Sequence, residues 1–315
     1  MSSRRRAASL ARFVALGLLL LLTLTALRYL DQHIVQAGLW MFLTITLTTG
    51  FFHGALDIVL IQREFQDGRR FVNVVTLYLA SSVLLAIACV LSSWLLIPTL
   101  LAMSVWHFGE PYGRWSEPSF SQLAWIQRAI AGGAPVMLPV LFSPEALQSV
   151  LPLAVGPSAE SMFVIWKIAA WCWVALCGVG FAVFRQRLFT KPLFVEFSLL
   201  FLFNLLLSPL MAFAIYFGVL HAVAHIIRVV TSHRKGAKSK QENGVAYFSD
   251  RSTIYAVVLT SVATLLMLAL LLWMLKAASI FMGAQNSLLN VVLIALTALT
   301  LPHLVLVSRN SRWLT

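Results

Sequence analysis

The chain has 315 residues, of which 60% are hydrophobic and only 11% are charged, and its mean hydropathy is +0.88. Such a composition provides too little polar surface for a soluble globular domain, so it predicts a polytopic membrane protein without a separate soluble domain. The net charge of +12 does not indicate nucleic-acid binding, because the basic residues fall in short loops between apolar runs.

Apolar segments bounded by proline, glycine or charge follow one another along the whole chain. Their approximate ranges are 10–27, 37–61, 71–91, 92–109, 122–142, 162–184, 192–207, 209–230, 253–275 and 286–307. The first is long enough to span a bilayer at about 1.5 Å per residue, which favours a retained helix over a signal peptide. Helix breaks are expected near "SSWLLIP" and at Pro209. We therefore expect an all-α bundle of about ten transmembrane helices, with eight or nine as the alternative counts.

The distribution of basic residues predicts the orientation of this bundle. With ten spans, the basic N-terminus (1–9), the polar loop 231–252 and the C-terminus all lie in the cytoplasm, whereas the opposite loop 143–161 has no Lys or Arg. The expected location is the inner (plasma) membrane, with residues 1–315 forming a single membrane-embedded domain.

Most of the seven histidines fall inside predicted spans, and only His33 and His233 fall in loops. Ionisable side chains at membrane depth are costly and usually mark a functional site. In the ten-span topology the intramembrane histidines all lie in the cytoplasmic half of the bilayer, where their helices can converge. They are His53, His107, His221, His225 and His303.

The stretch "FGVLHAVAHIIR" places His221 and His225 four residues apart, on one face of a helix. A helix offers two imidazoles to one metal ion by this spacing, and His53 and His107 can complete a set of four nitrogens. Imidazole suits iron, zinc, copper and nickel. The alternative is that each histidine only makes a hydrogen bond between helices.

Carboxylates near these histidines are candidates for orienting an imidazole by accepting a proton from its far nitrogen. Asp57 lies four residues after His53, Glu110 follows His107 in "VWHFGEP", and Glu196 lies just inside a predicted span. The alternatives are a helix contact for Asp57 and a solvated interfacial residue for Glu110.

Small and aromatic residues accompany the histidine motifs. The glycines Gly54, Gly109 and Gly218 favour close helix approach. The aromatic residues are candidates for lining a flat apolar cavity or for ordinary packing: Phe51, Phe52, Trp106, Phe108, Tyr216 and Phe217.

Four motifs, "FFHGALDIVL", "SVWHFGEPY", "YFGVLHAVAHIIRV" and "LTLPHLVLV", resemble those of the Brp/Blh family of bacterial and archaeal β-carotene 15,15′-dioxygenases. The resemblance implies an integral membrane, iron(II)-dependent enzyme that splits the central double bond of β-carotene, or of a related carotenoid, with dioxygen. The products are two molecules of all-trans-retinal, which implies a functional link to a microbial rhodopsin.

The resemblance also assigns residues. It places the catalytic metal ligands on His53, His107, His221 and His225. His303 matches the family's C-terminal Pro-His motif and is expected either to orient a ligand or to face the substrate.

Three other functions remain as alternatives at this point. A di-iron membrane desaturase or hydroxylase needs more histidines, in HxxxH and HxxHH boxes, whereas this chain has one HxxxH. A metal or proton transporter would need a polar path across the whole bilayer. A non-catalytic carotenoid or rhodopsin partner would use the histidines only to pack helices.

Overall fold

The computed structural model describes residues 34–65, 67–113, 121–188, 191–228 and 288–309, with isolated residues between 258 and 273. The described residues form helices and no strand, which confirms the predicted all-α class. The α-helices are α1 (Ile34–Ile45), α2 (Phe51–Ala55), α3 (Asp57–Glu64), α4 (Gly68–Leu91), α5 (Ser93–Gly113), α6 (Ser121–Phe142), α7 (Pro144–Val155), α8 (Ala159–Leu188), α9 (Lys191–Leu206), α10 (Pro209–Ile215) and α11 (Leu288–Arg309).

Two stretches of π-helix interrupt this series. Thr46–Gly50 joins α1 to α2, and Tyr216–Ala222 follows α10 and continues into a helix over residues 223–228.

Within the described residues, six helices are long and apolar enough to cross a bilayer, as expected for a membrane bundle. They are Ala37–Gln62, Gly68–Leu91, Ala124–Phe142, Pro144–Val183, Pro209–Arg228 and Leu288–Ser308, with Leu193–Leu206 as a shorter apolar helix. The predicted span 10–27, most of span 253–275, the basic segment 1–9 and the loop 231–252 lie outside the described residues. The count of ten spans therefore stays a prediction.

The helix breaks expected from the sequence are present. Helix α4 ends at Leu91 and α5 begins at Ser93, while α9 ends at Leu206 and α10 begins at Pro209. Proline lacks a backbone N–H, and the first turn of a helix is where that donor has no partner in any case.

The predicted loop 143–161 is instead largely helical, which corrects the expectation from the sequence. Pro144 occupies the start of α7, and a stripe of side chains on this helix faces the protein core. The stripe has helical spacing and consists of Leu147, Val150, Leu151 and Ala154. The segment falls between the predicted spans 122–142 and 162–184, but its apolar periodicity is that of an amphipathic helix.

Helix α4 shows how the bundle divides its surface between lipid and core. Side chains spaced seven residues apart form one exposed stripe: Leu77, Leu84 and Leu91 are 70%, 68% and 81% exposed. The inward face carries the smaller buried residues Ser82, Ala86 and Cys89. A leucine stripe that faces away from the core is the surface that acyl chains solvate.

Helices α5 and α6 cross with their backbones in close contact, and α6 packs in turn against α8. A Cβ atom added to Gly132 would lie 1.8 Å from the carbonyl oxygen of Val105, and one added to Gly109 would lie 2.1 Å from that of Arg128. Only glycine fits at either position, so this crossing fixes the height and rotation of α5, the helix that carries His107.

We expect Gly132→Ala to lower the free energy of unfolding by roughly 1–3 kcal/mol or more, the usual cost of overpacking. The added methyl group would clash with the backbone of Val105, which cannot move aside as a side chain can. Thermal unfolding in detergent measures the effect. The matched control is Gly178→Ala on α8, where an added Cβ meets nothing within 4 Å. Equal melting temperatures for the two variants would contradict the close crossing.

Candidate metal centre

The five intramembrane histidines lie together in the core, although they come from separate parts of the chain. Their exposed fractions are all 7% or less: His53 4%, His107 5%, His221 7%, His225 2% and His303 4%. The other two, His33 and His233, lie outside the described residues.

The His53 ring is at the centre of this histidine cluster. Its ring centroid lies 4.4 Å from that of His225, 4.7 Å from His303, 5.3 Å from His221 and 5.9 Å from His107. The flanking rings also contact one another, with His107 lying 4.5 Å from His221 and 4.8 Å from His303. The five imidazoles therefore form one continuous cluster.

One pair of ring nitrogens already has the spacing of metal ligands. The Nε2 atoms of His107 and His221 are 2.7 Å apart. Two imidazole nitrogens about 2.1 Å from one ion and at right angles to each other lie about 3 Å apart. The same distance also fits a hydrogen bond between a protonated and an unprotonated nitrogen, so this pair suits either a metal or a proton.

A second grouping involves a histidine that the sequence did not assign to the metal. His53, His107 and His303 each offer one ring nitrogen, and these three atoms lie within 4.8 Å of one another. All three residues are buried, so these nitrogens are screened from water.

Several nitrogens of the cluster find no hydrogen-bond partner among the described residues. They are Nδ1 of His53, Nδ1 of His107, Nε2 of His225 and Nε2 of His303. Buried polar atoms are almost always paired, because an unpaired one loses its hydration without compensation. Several unpartnered imidazole nitrogens in one cluster are compatible with a transition-metal site, because imidazole is a common ligand of such ions.

Asp57 holds one ring of the cluster in a fixed orientation. Its two carboxylate oxygens each lie 2.8 Å from Nδ1 of His303, and the Tyr78 hydroxyl donates to Oδ2 at 2.8 Å. The sequence made Asp57 a candidate for orienting an imidazole through its spacing from His53. The structure instead pairs it with a histidine 246 positions away on α11.

The two π-helical segments pack against each other beside the histidines. A Cβ atom on Gly50 would lie 2.6 Å from the Phe217 ring, and one on Gly218 would lie 2.1 Å from the Ile45 side chain. The expected role of Gly218 in close helix approach is therefore seen. Such π-bulges change the direction of the following side chains and are frequent at functional sites. In this protein the first π-helical segment ends three residues before His53, and the second contains His221.

An apolar cavity of about 60 Å³ opens on one side of the cluster. Its polar lining comes mainly from His53, His107 and His303, with Ser104 and Thr300. The remaining walls are Gly50, Phe51, Gly54, Leu100, Phe108, Phe213, Phe217, Leu296 and Leu299. A cavity with these walls favours an apolar ligand next to the imidazoles.

The aromatic candidates divide between this cavity and other places. Phe51, Phe108 and Phe217 line it. Trp106 lies against Trp125 instead, with ring centroids 4.3 Å apart, because adjacent helix residues point about 100° apart. Tyr216 is buried and Phe52 is half-buried, and neither residue lines the cavity.

Phe213, Leu100, Leu296 and Leu299 line the cavity, and the sequence did not single them out. Apolar residues fill every span, so nothing in the sequence separates these four from lipid-facing positions. To identify them, one must know which face of each helix points toward the histidines, and the sequence does not give this.

Two further carboxylates that the sequence singles out, those of Glu110 and Glu196, lie on α5 and α9. Glu110 is buried, with 4% exposed, and is not a solvated interfacial residue. Glu196 accepts hydrogen bonds from the hydroxyls of Tyr112 and Tyr216. Because Tyr112 is on α5 and Tyr216 opens the π-helix that holds His221, Glu196 ties together two elements that carry cluster histidines.

The fold and the site together define a class: the chain is an all-α membrane protein with a buried group of histidines that can hold a metal next to an apolar cavity. The family model for beta-carotene 15,15′-dioxygenase matches residues 44–309, a range that contains all five cluster histidines. The chain therefore belongs to the beta-carotene 15,15′-dioxygenase family of carotenoid-cleaving enzymes, which confirms the resemblance drawn from its motifs. Comparison with curated proteins and with solved structures gives no match.

We expect Glu196→Leu to lower the free energy of unfolding by about 1–3 kcal/mol, because two buried hydroxyls lose their acceptor. Glu196→Gln keeps a carbonyl oxygen and should lose less. Thermal unfolding in detergent checks both, with Glu160→Leu at an exposed site as the control. If Glu196→Leu is as stable as the control, the hydrogen bonds of Glu196 do not contribute to the stability of the protein.

Proposed function

We propose that this protein cleaves the central double bond of β-carotene with dioxygen and releases two molecules of all-trans-retinal. The observation that carries the proposal is a cluster of buried imidazoles opening onto an apolar cavity inside a membrane bundle. Membership of the family supports the same activity. β-Carotene is a hydrocarbon that dissolves in the bilayer, so an intramembrane site receives it without passage through water.

The metal proposed for this site is iron(II), held by His53, His107, His221 and His225. The donor set fits such an ion, because neutral imidazole nitrogens suit iron and several of them have no other partner among the described residues. When bound, iron supplies the redox chemistry by which dioxygen reacts with a carbon–carbon double bond. The histidines keep the ion in place, and the surrounding apolar side chains exclude water from it.

We propose that the cavity walls determine which double bond of the carotenoid reacts. Phe108, Phe213 and Phe217 form a group of rings beside His107 and His53. Flat rings pack well against a flat polyene, and the bond held next to the metal is the bond that reacts. A cavity of about 60 Å³ is far below the roughly 300–1,000 Å³ of pockets for drug-sized ligands. Carotenoid binding therefore requires these side chains to move apart.

The proposal extends to the cellular setting. We infer an inner (plasma) membrane location with both termini in the cytoplasm, from the distribution of basic residues. Retinal released into the membrane would be available to a microbial rhodopsin, which is the functional partner that the family resemblance suggested.

Substitution of the proposed ligands tests the metal centre. We expect His53→Ala, His107→Ala, His221→Ala and His225→Ala each to abolish retinal formation in β-carotene-producing cells and to lower iron bound per chain, because each removes a nitrogen donor. Iron is measured by elemental analysis of purified protein and retinal by chromatography. His233→Ala, in the polar loop 231–252, is the matched control. Full activity in the His221→Ala or His225→Ala variant would contradict the proposed ligand set.

A separate variant tests the cavity. Gly54 lies beside His53 in the cavity wall, and an added Cβ there meets nothing within 4 Å. We expect Gly54→Leu to fold and to bind iron normally but to form retinal about 10- to 100-fold more slowly, because its side chain displaces the polyene. The control is Gly68→Leu, a position equally open but outside the cavity. Normal turnover by Gly54→Leu would place the substrate elsewhere.

A further inference from the structure

We infer that His303 is a further ligand of the metal, and that Asp57 and Tyr78 are positioning residues that hold it ready. This inference rests on the proposed function, because it takes the histidine cluster to be a metal centre. It gives His303 a definite role, where the sequence left a choice between orienting a ligand and facing the substrate.

The position of His303 is that of a ligand. Its ring centroid lies 4.7 Å from that of His53, 4.8 Å from His107 and 5.4 Å from His225. It offers a ring nitrogen within 4.8 Å of nitrogens of His53 and His107, and it lines the cavity together with them. His303 is thus within the cluster and not behind it.

The hydrogen bonds of His303 determine which of its nitrogens faces the cluster. Both oxygens of Asp57 lie 2.8 Å from Nδ1. A carboxylate only accepts hydrogen bonds, so Nδ1 carries the ring proton and donates a hydrogen bond to Asp57. The lone pair of the ring is then on Nε2, the nitrogen that is buried without a hydrogen-bond partner among the described residues. Metal-binding histidines have this arrangement, in which the far nitrogen donates to a carboxylate.

Tyr78 completes the arrangement on the other side of the carboxylate. Its hydroxyl donates to Oδ2 of Asp57 at 2.8 Å, and Asp57 itself is only 2% exposed. Because Tyr78 is on α4, Asp57 opens α3 and His303 is on α11, the three residues join three helices. A carboxylate that accepts from two sides cannot rotate freely, so the orientation of the His303 ring is fixed before any metal binds.

The competing explanation is that Asp57 and His303 only fasten α3 to α11. The two explanations differ in what Asp57→Asn does. The side-chain amide of asparagine can donate to Nδ1, which moves the ring proton to Nε2 and removes the lone pair from the cluster. The wrong tautomer of a histidine is known to disable it in this way while the geometry stays intact. If Asp57 and His303 only connect the two helices, Asp57→Asn should lower the stability of the protein somewhat and leave metal affinity unchanged.

Metal binding by the full-length purified protein tests the inference, with Co²⁺ as the probe because its visible spectrum reports the ligands. We expect wild type to bind one Co²⁺ per chain, and His303→Ala and Asp57→Asn to bind it about 10- to 100-fold more weakly, with altered spectra. Tyr78→Phe should show a smaller loss. Added free imidazole should restore the wild-type spectrum to His303→Ala but not to Asp57→Asn. Circular dichroism confirms that each variant is folded.

Each outcome separates this inference from the proposed function. If His53→Ala loses Co²⁺ while His303→Ala and Asp57→Asn keep wild-type affinity and spectrum, the metal centre stands and His303 is not one of its ligands. If wild type binds no Co²⁺ and no iron, both the proposed function and this inference are wrong.

Discussion

The structure depends on the cost of placing imidazole nitrogens inside an apolar bundle. Each buried ring has two nitrogens that lose water, and a membrane interior offers few other partners. Five such rings with exposed fractions of 7% or less form one cluster, in which the other four ring centroids lie 4.4 to 5.9 Å from that of His53. Nitrogens without a hydrogen-bond partner among the described residues belong to four of those rings, so the cost is concentrated in one place. A metal ion bound to ring nitrogens would lower this cost, so the cluster is compatible with a metal site.

The rest of the fold brings the rings together and keeps water out. The glycine crossing of α5 and α6 sets the position of His107, and the contact between the π-helical segments at Gly50 and Gly218 sets those of His53 and His221. Asp57 does the same for His303 through hydrogen bonds. Around them, leucine and phenylalanine side chains form an apolar cavity open to a hydrophobic ligand. The histidine cluster and the apolar cavity are thus parts of one arrangement, as the proposed reaction between dioxygen and a membrane-dissolved hydrocarbon requires.

Much of this architecture is predictable from the sequence, and the limits have physical causes. Membrane-spanning helices follow from apolar runs, and helix breaks such as that at Pro209 follow from backbone chemistry. Convergence of the histidines follows from their similar depth in the predicted spans. The pairing of Asp57 with His303 is not predictable, because 246 positions separate them and no spacing rule applies across helices.

Two local features also escape prediction, for different reasons. The π-helix Tyr216–Ala222 cannot be predicted, because a single wider helical turn does not change the pattern of a sequence that is apolar throughout. The segment Pro144–Val155 has a helical periodicity that the sequence does show, but it is too short to cross a bilayer and lies between two predicted spans, which favours a loop.

The central claim is that this buried group of imidazoles binds one iron ion. X-ray absorption at the iron edge, on protein purified with its metal, tests it most directly. The account predicts one iron per chain with nitrogen neighbours at about 2.1 Å, the usual metal–imidazole distance, and the outer-shell pattern of imidazole rings. Protein that contains no iron, or iron surrounded by sulfur or by oxygen alone, would contradict it.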